Sequence, residues 1–516
     1  MTRHHATTVV LFSVTVLILI FTSSAYAIPA FSRQYGTSCS TCHLDFPKLN
    51  DFGKAFKDAG FKFPKDDESF IKIPPVMLGA PAQKELWPHS IWPGTIPGMP
   101  QIGLRMNTFF QVYGSKRNAF NEQLAAGMPG AVVPTTDFQP GLFSIFTAGN
   151  FGSDIAFWVD DDFSVGGANS NGGLGDGYLK FVNIGRLLKL PEYALSLRVG
   201  QFELDLPFSQ ARTWNLSGWD IFDVANFGTA NQNVNNITAL SAAAQGVEFS
   251  GGRTYRGYHY SLAIINQNTT NNLSSAPTVS PEVGIFSDSS FKDIYARVSY
   301  RFNLEKDPAS RNEIQAAGAS GPRDHTYIDF GGFYFYGRSV QRYSETPTVV
   351  TSREPFYRVG GNFSFNYRTF NLFGVYLVGH DQDLIPVIPA GGAIPTSFMG
   401  GTKAQFSGGF LEADYVALPW LMAIMRWDSV NSKADQLNGI GEDAGNLPAN
   451  LNFVSPFNQN RNRFTPGVQF LIHANIKASF EYQVRPKQVV YAPGTVLALT
   501  SPFRTNSAVA GLEWVY

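Results

Sequence analysis

The chain has 516 residues, with 39 basic and 40 acidic side chains. So even a balance gives no support to nucleic-acid binding, and no nucleophile–base pair or nucleotide-binding loop stands out. Aromatic residues reach 14%, including 44 Phe and 21 Tyr, while charged residues fall to 15%.

At the N-terminus Arg3, His4 and His5 precede an apolar run from Val9 to Phe21, followed by Ser23-Ser24-Ala25-Tyr26-Ala27. This is the layout of a secretory signal peptide over residues 1–27, cut after Ala27. The apolar run is shorter than the ~20 residues a spanning helix requires. No later segment is a run of 18 apolar residues, so no transmembrane helix is expected after cleavage. Loss of the leader removes Arg3 and leaves 38 basic against 40 acidic residues.

Both cysteines of the chain lie in Cys39-Ser40-Thr41-Cys42-His43. In an exported protein such a pair is a small disulfide, half of a zinc site, or a haem attachment site. Zinc requires about four ligands, and no second Cys pair or close His pair completes the set. A disulfide would not require His43. The spacing suits covalent haem c: two thiols on one turn reach the two vinyl groups of one porphyrin, and the next imidazole ligates the iron. Downstream, Asp45 is expected to cap a helix with Pro47 in its first turn. Leu49, Phe52 and Phe56 recur on one face of that helix, and Gly60 is its stop. Residues 28–60 thus form a monohaem cytochrome c motif and helix, too small to bury a core of their own.

Residues 61–100 carry eight prolines and read as a semi-rigid linker. They also hold the candidates for a sixth iron ligand. Met77 ranks first, because it lies on an extended segment able to double back over a porphyrin. His89 and Met99 follow. Met106 is less free, since it falls inside the first expected strand. A methionine opposite His43 would raise the reduction potential.

From 101 to 516 period-two alternation replaces helical periodicity. In Ile476–Arg485, Ile476, Ala478, Phe480, Tyr482 and Val484 alternate with Lys477, Ser479, Glu481, Gln483 and Arg485. Strands are expected near 101–113, 141–151, 154–165, 176–185, 193–203, 236–250, 257–267, 292–302, 325–338, 355–366, 368–379, 403–415, 419–429, 462–473, 475–485 and 505–516. Their lengths suit tilted strands crossing a bilayer. Connections after odd strands are mostly long and those after even strands mostly short, with 303–324 breaking the pattern. Leu512, Trp514 and Tyr516 share one face of the last strand, as in many outer-membrane barrels. The expected fold is all-β: a transmembrane antiparallel barrel of about 16 strands with a small N-terminal helical haem plug. The lumen charges Arg198, Arg297, Arg301, Glu412, Asp414, Glu481 and Arg485 are of mixed sign, ready either to pair around a plug or to line a channel.

Pro29-Ala30-Phe31-Ser32-Arg33-Gln34-Tyr35-Gly36, the Cys39–His43 pentapeptide, Phe46-Pro47-Lys48-Leu49, Phe52-Gly53 and Gly60-Phe61 together resemble the fused monohaem cytochrome–porins of the bacterial outer membrane. That resemblance implies one covalent haem on Cys39 and Cys42, iron ligation by His43, and electron transfer across the outer membrane, with Fe(II) the best-known donor. The remaining chain is similar to that family only in kind. An electron conduit of this type would oxidise an extracellular donor and reduce a periplasmic carrier such as a soluble cytochrome. It would act as an electron-transfer cytochrome, and its outer wall would face outer-membrane lipid. Physics points the same way: the apolar band is ~25 Å tall, so a haem outside the lumen would be too far from an external donor. The alternative is a solute porin with an appended periplasmic haem domain.

Other candidates lie outside the haem motif. Asp160-Asp161-Asp162 offers hard oxygen ligands for a divalent cation, against the simpler reading of a solvated strand end. His380-Asp381-Gln382-Asp383 is a weaker candidate of the same kind. The long segment after the fifth strand, with Asp205, Arg212, Trp214, Trp219, Asp220 and Asp223, is suited to folding inward. His259, His325 and His473 fall in strands and read as lumen or rim residues.

Overall fold

The computed structural model describes residues 30–516 apart from 46–47, 64–66, 89–94, 97, 99–101, 115–134, 140, 153, 166–172, 210–239, 241–242, 267–269, 273–290, 305–325, 346–347, 382–383, 388–395, 401–403, 433–460 and 485–505. The expected signal peptide and the candidates His89 and Met99 therefore lie outside the described residues.

Among those residues sixteen long strands close into one barrel: β1 (Ile102–Tyr113), β2 (Gly141–Phe151), β3 (Ile155–Val165), β4 (Gly173–Phe181), β5 (Ser196–Phe202), β6 (Ala244–Gly252), β7 (Gly257–Ile265), β8 (Asp293–Asn303), β9 (Tyr327–Glu345), β10 (Thr348–Tyr367), β11 (Phe370–Asp381), β12 (Ala404–Leu418), β13 (Leu421–Ser432), β14 (Arg461–His473), β15 (Ile476–Gln483) and β16 (Ser507–Val515). Each pairs antiparallel with its neighbours in sequence, and β16 closes on β1 with Gly511 opposite Phe109. Short segments at Thr136–Gln139 and Thr270–Asn272 add to the wall.

The alternation is turned inside out relative to a soluble sheet. In β15 the polar face is the hidden one: Lys477 and Glu481 are 3% and 7% exposed, while Phe480 and Tyr482 are 51% and 49% exposed. Only a wall with water or polar groups inside and lipid outside makes that pattern stable. Exposed Tyr258, Tyr300, Tyr367, Tyr415 and Trp420 lie near the short-turn ends of their strands, at the position of an interfacial aromatic girdle. Among the described residues no helix is long and apolar enough to cross a membrane; strands make the crossing.

All sixteen expected strands are present, and the differences have local causes. β9 and β10 run on to Glu345 and from Thr348, where a connection was expected. The sequence there, with Arg338, Arg342, Arg353 and Glu354 among its residues, loses its apolar–polar alternation although the ladder continues. β4 stops at Phe181 because Asn183 takes a left-handed conformation, φ +61°, and opens the 3-10 turn Ile184–Leu188. β6 begins at Ala244, later than the pattern suggested.

The N-terminal segment sits in the short-turn mouth of this barrel. Helix α1 (Ala30–Tyr35) and helix α2 (Asp51–Asp58) flank the Cys39–Thr41 turn, and His43–Asp45 pairs with Lys48–Leu49. Asn50, rather than Asp45, caps α2: its side chain accepts from the Gly53 N–H at 2.9 Å. Asp45 lies instead in the two-strand ladder. At the other end the Phe61 N–H donates to Phe56 O and the Gly60 N–H to Lys57 O, a Schellman stop with Gly60 at φ +79°. A Cβ on Gly60 would lie 2.9 Å from Val182 Cγ2 and 3.2 Å from Ala156 Cβ, both on the barrel wall. Gly60→Ala therefore combines left-handed strain with a clash and should weaken the plug's seat by about 1–2 kcal/mol. Protease protection of the plug across a urea series would show this as a lower release midpoint.

Candidate functional site: a lumen cavity behind the Cys39–His43 turn

Between the plug and the barrel wall lies a cavity of about 550 Å³. That size falls in the range of cofactor pockets. Cys39, Cys42 and His43 all line it. The turn that carries them is held from below by Asn50. The Asn50 backbone N–H donates to Cys42 O at 2.9 Å, and its side-chain amide donates to Ser40 O and Thr41 O at 3.1 and 3.0 Å. Gly53 lets α2 lie directly on this turn, since any side chain there would collide with the Cys42 carbonyl.

The two cysteines form no disulfide. Burial pushes the Cys39 thiol above its ordinary range and the Cys42 thiol up to about 12. At neutral pH both are uncharged, which disfavours disulfide exchange and metal binding through thiolates.

One wall of the cavity is aromatic. Phe31 stacks on Phe61 at 5.6 Å, Phe56 meets Phe31 edge-on at 5.0 Å, and Phe61 contacts Trp158 of β3 at 5.7 Å. Tyr35 stacks on Phe63 at 4.2 Å and donates its hydroxyl to Asp67 at 2.8 Å. Burial first, and then Asp67, hold the Tyr35 phenol well above its usual range.

The opposite wall is polar, and its charges are matched. Lys48 Nζ reaches Asp414 at 2.8 Å and Asn371 at 2.9 Å. Arg301 reaches Asp51 of α2 at 2.6 Å, and Asp58 accepts from the Thr254 N–H and hydroxyl at 2.8 and 2.9 Å. So Arg301 and Asp414 pair around a plug. Arg198 pairs with Glu248, Arg426 with Glu412 at 3.2 Å, and Glu481 is buried in the wall. Arg485 lies outside the described residues.

Residues 203–209, after β5, fold inward, and Glu203, Asp205, Leu206 and Phe208 line the cavity. Asp205 accepts from Arg297 at 3.1 Å and Ser261 at 3.1 Å, and bonds His259 Nε2 at 2.8 Å. The Tyr295 hydroxyl donates to Asp205 O at 2.7 Å. Leu204, Leu206 and Phe208 then pack on Phe333, Phe335, Phe356, Phe373 and Phe410 in one buried apolar layer. Residues 212–223 of this segment lie outside the described residues.

The remaining candidates separate. Met77 pairs with Thr95 in a two-residue ladder, is 42% exposed and is not among the residues lining the cavity. Met106 stays in β1. Asp160 lines the cavity but is engaged by the Trp158 indole N–H at 2.9 Å and by the Asp176 N–H. Among the described residues no group of three or more His, Cys, Asp or Glu is placed to hold a metal ion. His380 stacks on Tyr357 at 5.2 Å, His473 ends β14, and His325 lies outside the described residues. His259 shares the cavity with His43. Sequence reasoning missed Lys48, Asp51 and Asp58 as the residues that seat the plug, because their partners Asp414, Arg301 and Thr254 lie far along the chain; it also missed Asn50 as the support of the Cys39–Cys42 turn.

No protein-family model matches the chain, and no curated protein matches it. Solved structures do. An anion-selective porin from Comamonas acidovorans is similar at 10% identity and a TM-score of 0.47, over 80% of this chain and 98% of that one. OmpF of Salmonella typhi, solved as a complex with daunomycin, aligns at 9% identity and a TM-score of 0.46, over 82% and 98% of the two chains. OprB of Pseudomonas putida aligns at 10% identity and 0.44, over 81% and 94%.

The Lys48–Asp414 pair supplies a test of the seat. Its side chains are 20% and 6% exposed, so Lys48→Met leaves a nearly buried carboxylate without its cation. The loss should be about 3 kcal/mol of plug docking. Lys48→Met with Asp414→Leu should recover most of it, read by protease protection of residues 30–63.

Proposed function

We propose that this protein is an outer-membrane electron conduit: a barrel whose short-turn mouth holds one covalent haem c, passing electrons from an extracellular donor such as Fe(II) to a periplasmic carrier. The observation that supports this most is the enclosure of Cys39, Cys42 and His43 together in a lumen cavity of cofactor size.

The residues present fit the group. Two neutral thiols lie on a single turn with an imidazole directly after them, facing a cavity with an aromatic wall. Cys39 and Cys42 would form the thioethers and His43 would ligate the iron. Haem c, when bound, supplies a one-electron redox centre. The chain's own part is to position and shield it. Asn50 and Gly53 fix the turn against α2, and Phe31, Phe56, Phe61 and Trp158 exclude water from one side. Met77 is proposed as the sixth ligand; from its exposed ladder it would have to swing inward to reach the iron. In that case Met77→Ala removes the methionine–iron charge-transfer band and leaves covalent attachment intact.

A solute porin with an appended haem domain is the second reading. It requires an open lumen and a plug outside the barrel. The plug's ion pairs with β8 and β12 and the apolar layer at Phe333 and Phe373 favour the conduit.

Three measurements test the proposal. Haem-stained denaturing gels should show one covalent haem in the wild type and none, or a trace, in Cys39→Ala and Cys42→Ala. In a planar bilayer the purified protein should pass almost no ionic current. A haem-free wild type, or porin-like conductance, would overturn it. Fe(II) added outside proteoliposomes should then reduce the haem.

A further inference from the structure

Several lumen cations around the cavity have acidic partners among the described residues. Lys48 has Asp414, Arg105 has Glu513, Arg198 has Glu248, Arg297 has Asp205 and Arg301 has Asp51. Lys180, on β4, lines the same cavity and has no ion pair or side-chain hydrogen bond among the described residues.

Its surroundings explain why. The charges that act on it are Asp58 of the plug and Glu248, Asp205 and Arg198 of the wall. All three carboxylates are already engaged. Asp58 takes two bonds from Thr254, Glu248 is bound by Arg198, and Asp205 by Arg297, Ser261 and His259. A cation facing an enclosed cavity without a direct counter-ion is costly unless an anion from the cavity's occupant completes it. Haem c carries two carboxylates of its own.

We infer that Lys180 is the built counter-ion for a carboxylate of the cavity's occupant, a haem propionate. The inference rests on the proposed haem site and adds an anion-binding residue to it. Lys180 would orient the haem by its propionate and hold positive charge beside it. That charge disfavours the ferric state, so its removal shifts the equilibrium toward ferric haem.

The test uses full-length holoprotein in detergent, with Lys180→Gln and Lys180→Arg as variants. Covalent haem, read on denaturing gels, should be unchanged in both, because Cys39 and Cys42 make the attachment. In Lys180→Gln the redox equilibrium should move about tenfold toward ferric haem, a fall of about 59 mV for one electron. Lys180→Arg should stay near wild type. Independently, the resonance Raman propionate bending band of the wild type should shift in D₂O, and that shift should be lost in Lys180→Gln. If Lys180→Gln does not insert, the band of Lys180→Arg should move, because a guanidinium bonds differently from an ammonium. Attached haem with an unmoved potential, or a propionate band that never responds to residue 180, would overturn the inference alone. A wild type without covalent haem would overturn the proposed function beneath it.

Discussion

The plug has no core that is wholly its own, and the rest of the arrangement follows from that. Some thirty residues cannot bury enough apolar surface to offset their ordering entropy. The missing half of the core is the barrel wall. Tyr35, Phe56, Phe61 and Phe63 form one cluster with Ala148, Ala156 and Val182, and Trp158 packs against it. The Schellman stop at Gly60 matters because it turns Phe61 onto Trp158 at the point where α2 would otherwise run into β3 and β4. Once the core is shared, the turn bearing Cys39 and Cys42 has a fixed direction, facing the lumen.

The lumen supplies orientation as well as cover. Apolar packing tolerates sliding, but ion pairs with defined partners do not. Asp51 with Arg301 and Lys48 with Asp414 tie α2 and the small ladder to β8 and β12. Arg33 donates to Ile102 O at 3.0 Å and lies over the Tyr516 ring, tying α1 to the seam where the barrel closes. Charges buried in this way add little net stability compared with apolar packing, yet a misplaced plug would leave each of them unmatched. They therefore select one docking pose.

The barrel was legible because its signal repeats. Many strands carry a period-two pattern, and a signal repeated along the chain averages out local errors. What the pattern could not say is which face is buried: Ile476 and Lys477 alternate identically in a soluble sandwich. The inversion had to come from strand length and the spacing of connections. The extension of β9 and β10 was invisible because the sequence loses its apolar–polar alternation there. In the candidate site, Cys39, Cys42 and His43 stood out because their spacing is local. The residues that seat them did not: Lys48 and Asp414 are 366 positions apart, and an ordinary lysine in a short ladder announces no partner. The inward fold of 203–209 was one possibility the sequence left open, and its anchor, Asp205 among Arg297, Ser261 and His259, depends on register between three strands.

The walls of the cavity differ in a way that bears on what can pass. Toward the short turns lies the plug, ion-paired and aromatic. Beside it lies the layer of Leu204, Leu206, Phe208, Phe333, Phe356, Phe373 and Phe410, with Phe356 and Phe373 each 1% exposed. A packed apolar layer offers an ion no replacement for its hydration shell and leaves no room for a file of water. An electron needs neither: it crosses a few ångströms of packed side chains by tunnelling and carries no shell with it. Under the proposed function such a layer would hinder solutes while leaving the lumen open to charge. A single redox centre placed behind that layer then makes the lumen selective by what it excludes.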